Sequence, residues 1–103
     1  MKTLRFRVLG QKLEAVDIPT DLVKGTSNYL QCAFTFEGAD WIGCKVAAEF
    51  GDGQAVPIIN YSCMVPEDSA ARQYFKFRLI GVREDFKIIT NEIIIKQKGE
   101  ING

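Results

Sequence analysis

The stretch Asn28-Tyr-Leu-Gln-Cys-Ala-Phe-Thr-Phe36, followed by Trp41-Ile-Gly-Cys-Lys-Val-Ala-Ala-Glu-Phe50, decides how this chain folds. Leu30, Cys32, Phe34 and Phe36 fall at every second position, with Tyr29, Gln31, Ala33 and Thr35 between them. Successive side chains of a strand point to opposite faces, so this spacing predicts a strand with one face in a core. Cys44, Val46, Ala48 and Phe50 repeat the pattern, with Lys45, Ala47 and Glu49 opposite. The only tryptophan, Trp41, sits in the turn that joins the two.

Towards the N-terminus the same alternation continues. Leu4, Phe6 and Val8 alternate with Arg5 and Arg7, predicting a strand over residues 3–9 that ends at Gly10. A shorter extended piece covers residues 12–17, and Pro19 prevents it from continuing as an interior strand. Gly, Thr, Ser and Asn in succession make residues 21–28 a surface loop.

Towards the C-terminus, Phe50-Gly-Asp-Gly53 is a hairpin turn whose returning strand is residues 54–59. Pro57 offers no N–H to a neighbour and marks that strand as an edge or a bulge. Residues 60–65 continue extended to Pro66, and residues 66–73 form a short helical turn with acids near its start. Residues 74–81 alternate again, with Phe75, Phe77 and Leu79 facing one way and Lys76 and Arg78 the other. A charged turn at residues 82–85 leads to a final β-branched strand over residues 86–96.

About seven strands at intervals of roughly ten residues, with turn signals between them, predict an all-β antiparallel sandwich, with a barrel as the alternative closure. One domain covers residues 1–98 and residues 99–103 form a flexible tail, with fraying from Gln97 onward. The predicted core comprises Phe6, Leu30, Cys32, Phe34, Phe36, Trp41, Val46, Phe50, Phe75, Phe77 and Leu79.

Composition narrows function mainly by exclusion. The 103 residues are 47 % apolar and 25 % charged with zero formal net charge, which fits a folded globular chain. No overall field draws the chain to nucleic acid or an anionic membrane, and neither is an expected partner. Arg5 and Arg7 interrupt the apolar run that a signal peptide needs, and no apolar run approaches bilayer length. The expectation is a soluble protein made in the cytoplasm.

The chain has no histidine, which removes Ser-His-Asp and Cys-His catalysis and histidine-based metal sites. The doublets Glu67-Asp68 and Glu84-Asp85 read as solvated turn charge rather than an acid/base pair. Gly51-Asp-Gly53 lacks the further oxygen ligands of a calcium loop, and no phosphate-binding glycine loop is present. No catalytic residue, metal or cofactor is expected. Cys32, Cys44 and Cys63 are odd in number and lie in apolar surroundings, so they read as buried thiols rather than disulfide or metal ligands. Arg5, Arg7, Lys76 and Arg78 would make a basic stripe only if the first and late strands were neighbours, and Glu49 and Asp52 dilute it.

Trp41 is open to two readings. An exposed tryptophan, with Tyr61 or Tyr74, would give a carbohydrate-binding module a stacking platform. Against this, Gly43 two residues on makes room for close packing and favours Trp41 as a core plug. The Cys32 to Trp41 spacing invites comparison with true immunoglobulin domains, but residues 74–81 lack the second cysteine.

Taken in order, Asn28-Tyr29-Leu30, the run to Phe36, Trp41-Ile-Gly43, Lys45-Val-Ala-Ala-Glu-Phe50, Cys63-Met-Val-Pro66-Glu67, the strand from Phe75 to Gly81 and Ile89-Thr-Asn91 resemble a phage module. The chain is similar to the N-terminal immunoglobulin-like domain of baseplate upper proteins from tailed phages and prophages of Gram-positive bacteria. The resemblance covers Leu4 to about Lys98, and Glu37-Gly-Ala-Asp40 departs from it as a lead-in to the tryptophan. It implies an immunoglobulin-like sandwich with a structural, non-enzymatic role in a virion tail. Its partners would be other tail or baseplate proteins, or further copies of itself.

Overall fold

Three apolar side chains at alternate positions of β1 (Lys2–Leu9), namely Leu4, Phe6 and Val8, are fully buried, while Arg5, Arg7 and Leu9 face solvent. The computed structural model describes residues 1–51 and 53–99. Among them β1 is followed by β2 (Lys12–Asp17), β3 (Leu30–Glu37), β4 (Lys45–Phe50), β5 (Ala55–Pro57) and β6 (Ser62–Met64). A four-residue helix, α1 (Glu67–Ala70), precedes β7 (Tyr74–Arg83), β8 (Phe86–Ile89) and β9 (Ile93–Lys96).

These strands form two sheets. The first has the order β2-β1-β3-β6; the second has β5-β4-β7-β8, with β9 also on β7. The sheets face one another through aromatic rings: Phe6 stacks on Phe34 at 5.4 Å and meets Phe77 edge-on at 5.1 Å, and Phe77 reaches Phe50 at 5.2 Å. Edge-to-face and offset pairs of this kind add about 0.5–1.5 kcal/mol each to the area they bury. The all-β sandwich is therefore the fold.

One pair departs from the antiparallel expectation. β1 and β3 run parallel, with Lys2 opposite Leu30 and Leu9 opposite Glu37. β2 has already returned the chain to the start of β1, so residues 18–29 need only cross the end of the sheet. That crossing is not bare loop: Leu22 is buried, and Lys24 N–H donates to the carbonyl of Lys98. Parallel neighbours need a crossover of about a dozen residues, and this segment supplies it.

The strand expected over residues 86–96 is two strands on one edge of β7. β8 pairs with its C-terminal half and β9 with its N-terminal half. Between them Thr90 Oγ1 accepts from Leu79 N–H at 2.9 Å, replacing the missing ladder partner. Asn91 leans to the other sheet, where its Oδ1 accepts from Leu13 N–H at 2.8 Å and its Nδ2 donates to the Leu13 carbonyl at 3.0 Å. A side-chain amide thus completes edge strand β2 and closes this side of the sandwich.

Fraying from Gln97 does not occur. Its side chain is 1 % exposed and donates to the carbonyls of Ala70 and Arg72, and its N–H donates to Gln73 O. Lys98 bridges to Val23. Residues 100–103 of the expected tail lie outside the described residues, as does Asp52. The hairpin before β5 is as read, with Gly53 N–H donating to Phe50 O, and β5 with Pro57 is an edge strand.

Candidate functional site

The opening pair of strands belongs to different sheets, so the turn between them is a crossing. β3 leaves the first sheet at Glu37 and β4 enters the second at Lys45. Trp41, halfway along, is 5 % exposed, packs on Phe36 at 5.4 Å and donates from Nε1 to the Gly10 carbonyl at 2.8 Å. The space for its ring comes from Gly81 in β7, where a Cβ would fall 2.7 Å from Trp41 Cζ3. Gly43 has a different task from the one expected: at φ +79° it turns the chain, and a Cβ there would meet only Arg83 Cδ at 3.9 Å.

Because Trp41 is anchored, its neighbour Ile42 is held outward. Ile42 is 69 % exposed, its N–H donates to Ala39 O at 3.2 Å, and its carbonyl accepts from Arg83 Nη1. The Arg83 guanidinium also lies 4.3 Å above the Phe86 ring. Ile42 thus stands as an exposed apolar side chain on one wall of the cleft beside Trp41.

The facing wall is a tight turn where an extended segment was expected. Ile59 and Ser62 exchange two backbone hydrogen bonds, enclosing Asn60 at φ 53° and Tyr61 at φ 62°. Two-residue hairpins with both central φ positive favour Asn first and Gly second. Asn60 fits; Tyr61 stands where glycine is usual, at a cost of about 1–2 kcal/mol. Its ring is nonetheless exposed, 6.3 Å from Phe36, and Ile59 beside it is exposed too.

Between these walls lies a groove of about 840 Å³. Phe36, Trp41, Val46 and Ile58 form its inner lining, while Ile42, Ile59 and Tyr61 stand exposed around it. Among the described residues, Lys45 is the one basic side chain along it and no carboxylate lines it. Such a site can hold an apolar or aromatic anchor.

The other candidate residues lie elsewhere. Phe6, Leu30, Cys32, Phe34, Phe50, Phe75, Phe77 and Leu79 are buried with Trp41, while Phe36 and Val46 are half-buried beside the groove. Of the three platform residues, Trp41 and Tyr61 flank Phe36, but Tyr74 is in a separate cleft of about 430 Å³ with Arg72 and Lys76, under Lys96. Trp41, so deeply buried, presents almost no surface to a sugar ring.

The basic stripe does not form. β1 and β7 lie in opposite sheets, so Arg5 and Arg7 face away from Lys76 and Arg78. Arg7 is held by Glu14, Arg78 by Glu49 at 2.8 Å, and Lys76 lies 3.9 Å from Glu92. Glu67 and Asp68 occupy the first turn of α1, and Glu84 and Asp85 the turn after β7. No cluster of three or more metal-ligating side chains occurs among the described residues. Also among them, no helix is long and apolar enough to cross a membrane.

Sequence reasoning passed over Ile42 and Ile59. The available signal was a bulky apolar residue at a turn position, where polar residues normally stand. No family model matches the chain, and neither does any curated protein or solved structure.

Proposed function

We propose that this chain is a non-enzymatic structural and protein-interaction module of a phage or prophage tail or baseplate, and that it docks a neighbouring tail protein at the Trp41 groove. The observation that carries the docking is the convergence of exposed Ile42, Ile59 and Tyr61 around one groove whose inner lining is Phe36, Trp41, Val46 and Ile58. The order of motifs from Leu4 to Lys98, which resembles the baseplate domain, supports the setting.

The anchor that fits is apolar or aromatic, to pack on Phe36, Trp41, Val46 and Ile58, with an acidic group accommodated beside Lys45. Burying the remaining two thirds or so of three such rim side chains supplies about 3–6 kcal/mol, from roughly 1.5–3 kcal/mol for each fully exposed one. Association costs about 4–15 kcal/mol, so the groove alone gives a weak contact. Repetition in a multi-copy assembly makes weak contacts sufficient. Backbone strain at Tyr61 fits the same reading, since a left-handed tyrosine is kept at a cost to the fold.

The test is cross-linking and co-sedimentation with candidate tail and baseplate proteins, using Ile42→Asp, Ile59→Asp and Tyr61→Gly. Each substitution should weaken capture at least about tenfold while the fold is retained. Tyr61→Gly also relieves the turn, so its loss of binding would not reflect unfolding. A wild-type chain that stays monomeric and captures none of these proteins would overturn the proposal. Saturable binding of cell-wall glycans, abolished by Tyr61→Ala, would transfer the reading to a carbohydrate-binding module.

A further inference from the structure

We infer that Cys32 and Cys63 are a disulfide-forming pair that closes when the chain meets a low-molecular-weight disulfide such as oxidised glutathione, fastening edge strand β6 while Cys44 stays a thiol. The inference does not depend on what occupies the groove.

Register carries the argument. In the antiparallel pairing of β3 with β6, Cys32 stands directly opposite Cys63. On either side, Phe34 N–H donates to Tyr61 O at 2.8 Å and Val65 N–H donates to Leu30 O at 2.9 Å. Hydrogen-bonded pairs recur at every second residue of such a ladder, so Cys32 and Cys63 are one of them, with Cα atoms about 5.5 Å apart. Disulfides span roughly 4.4–6.8 Å between Cα atoms, which this register meets; the Cβ atoms, about 5.5 Å apart in a hydrogen-bonded pair, must close to about 3.5–4.5 Å, so bonding draws short edge strand β6 slightly inward.

Both side chains point into the core, Cys32 at 0 % and Cys63 at 7 % exposure, and both are free thiols. A hydrogen bond with Cys63, together with burial, pushes the Cys32 thiol well up from its ordinary range. Cys44 belongs to the crossing between the sheets, with its Sγ 3.8 Å from the Asp40 carbonyl. It is opposite neither of the others.

Access comes through β6, which is three residues long and lies on a sheet edge, where local opening is cheapest. Cys63 attacks first as thiolate: one S–S bond of oxidised glutathione breaks, a mixed disulfide forms on Cys63, and one glutathione thiolate leaves. Cys32 then loses its proton and attacks the Cys63 sulfur, and the second glutathione leaves as thiolate. Two protein thiols are oxidised to one disulfide, one glutathione disulfide is reduced to two thiols, and the two protons pass to those thiols or to solvent.

The bond closes a loop from residue 32 to residue 63 that contains every rim residue of the groove, including Ile42, Ile59 and Tyr61. Oxidation therefore restrains the groove walls without adding a group to them.

The test equilibrates the protein with excess oxidised glutathione and, separately, with dithiothreitol. The expected oxidised form loses two hydrogens in intact mass, and its thiol titre after unfolding falls from three to one. A Cys32–Cys63 linked peptide should appear, and the thermal midpoint should rise by roughly 10–25 °C. Cys44→Ser should form the same link, with its thiol titre falling from two to none, and Cys63→Ser should yield no internal link. Three surviving thiols, a stable glutathione adduct, a link to Cys44, or an unmoved midpoint would each overturn the inference.

Discussion

Gly81 lies against the ring of Trp41 so closely that a methyl group on it would fall 2.7 Å from Cζ3 and 2.8 Å from Cε3. The same methyl would meet Ile88 Cγ2 at 3.1 Å. Nothing in the φ of Gly81 forbids a side chain, so the constraint is space alone. It joins the second sheet to the loop that crosses between sheets, and through Trp41 it fixes where Ile42 projects.

Gly81→Ala should therefore destabilise the fold by about 1–3 kcal/mol, the usual cost of overpacking a filled core. The indole cannot retreat freely, because its Nε1 is bonded to Gly10 O. The chain should unfold at lower denaturant concentration, with tryptophan emission shifted to the red. A midpoint equal to wild type would show that the ring has room the structure denies it.

The legibility of this fold follows what a side-chain pattern encodes. Alternation reports which face of a strand is buried, so the core faces around Phe34 and Phe77 can be read directly. It does not report which strand lies beside which. Nothing in Leu4, Phe6 and Val8 says that β1 runs parallel to β3, or that β3 and β4 separate into two sheets. Gln97 illustrates a second limit, since a polar residue near a chain end reads as exposed until two carbonyls are found waiting for its amide. Tyr61 illustrates a third: an Asn-Tyr pair carries no recognised hairpin signal, because glycine is the expected second residue.

Asn91 is where the two sheets are stitched along the β2 side. Its amide serves both backbone groups of Leu13, and removing it leaves a donor and an acceptor without their partner. Asn91→Ala should cost about 1–3 kcal/mol and speed amide exchange at Leu13 relative to Val8 on the neighbouring strand. Asn91→Asp keeps the acceptor but sets a carboxylate oxygen against the Leu13 carbonyl, so at neutral pH it should be no more stable than Asn91→Ala. Unchanged exchange at Leu13 in both variants would show that β2 is held by its pairing to β1 alone.

Glu14 gives the acid limb of stability a definite sign. Its carboxylate accepts hydrogen bonds from Arg7, through Nε at 2.8 Å and through Nη2, and Lys12 Nζ lies 3.5 Å away. The Arg7 hydrogen bonds, with the charges of Arg7 and Lys12 added, hold the carboxyl below its ordinary 4.5. A group whose value is lowered on folding binds its proton more readily in the unfolded chain. Its stabilisation is then present above about pH 4.5 and drains away as pH falls through the folded value. Asp21, lowered from 3.8 first by its hydrogen bond from Lys2 at 3.3 Å, acts with the same sign. Both carboxylates lie at the surface and are screened by solvent, so the effect is small and salt-sensitive. Wild type should exceed Glu14→Gln in urea midpoint at neutral pH, and the two should converge at about pH 2 and in high salt. A gap that widened on acidification would mean that Glu14 is stabilised in its protonated form, contrary to its pairing with Arg7.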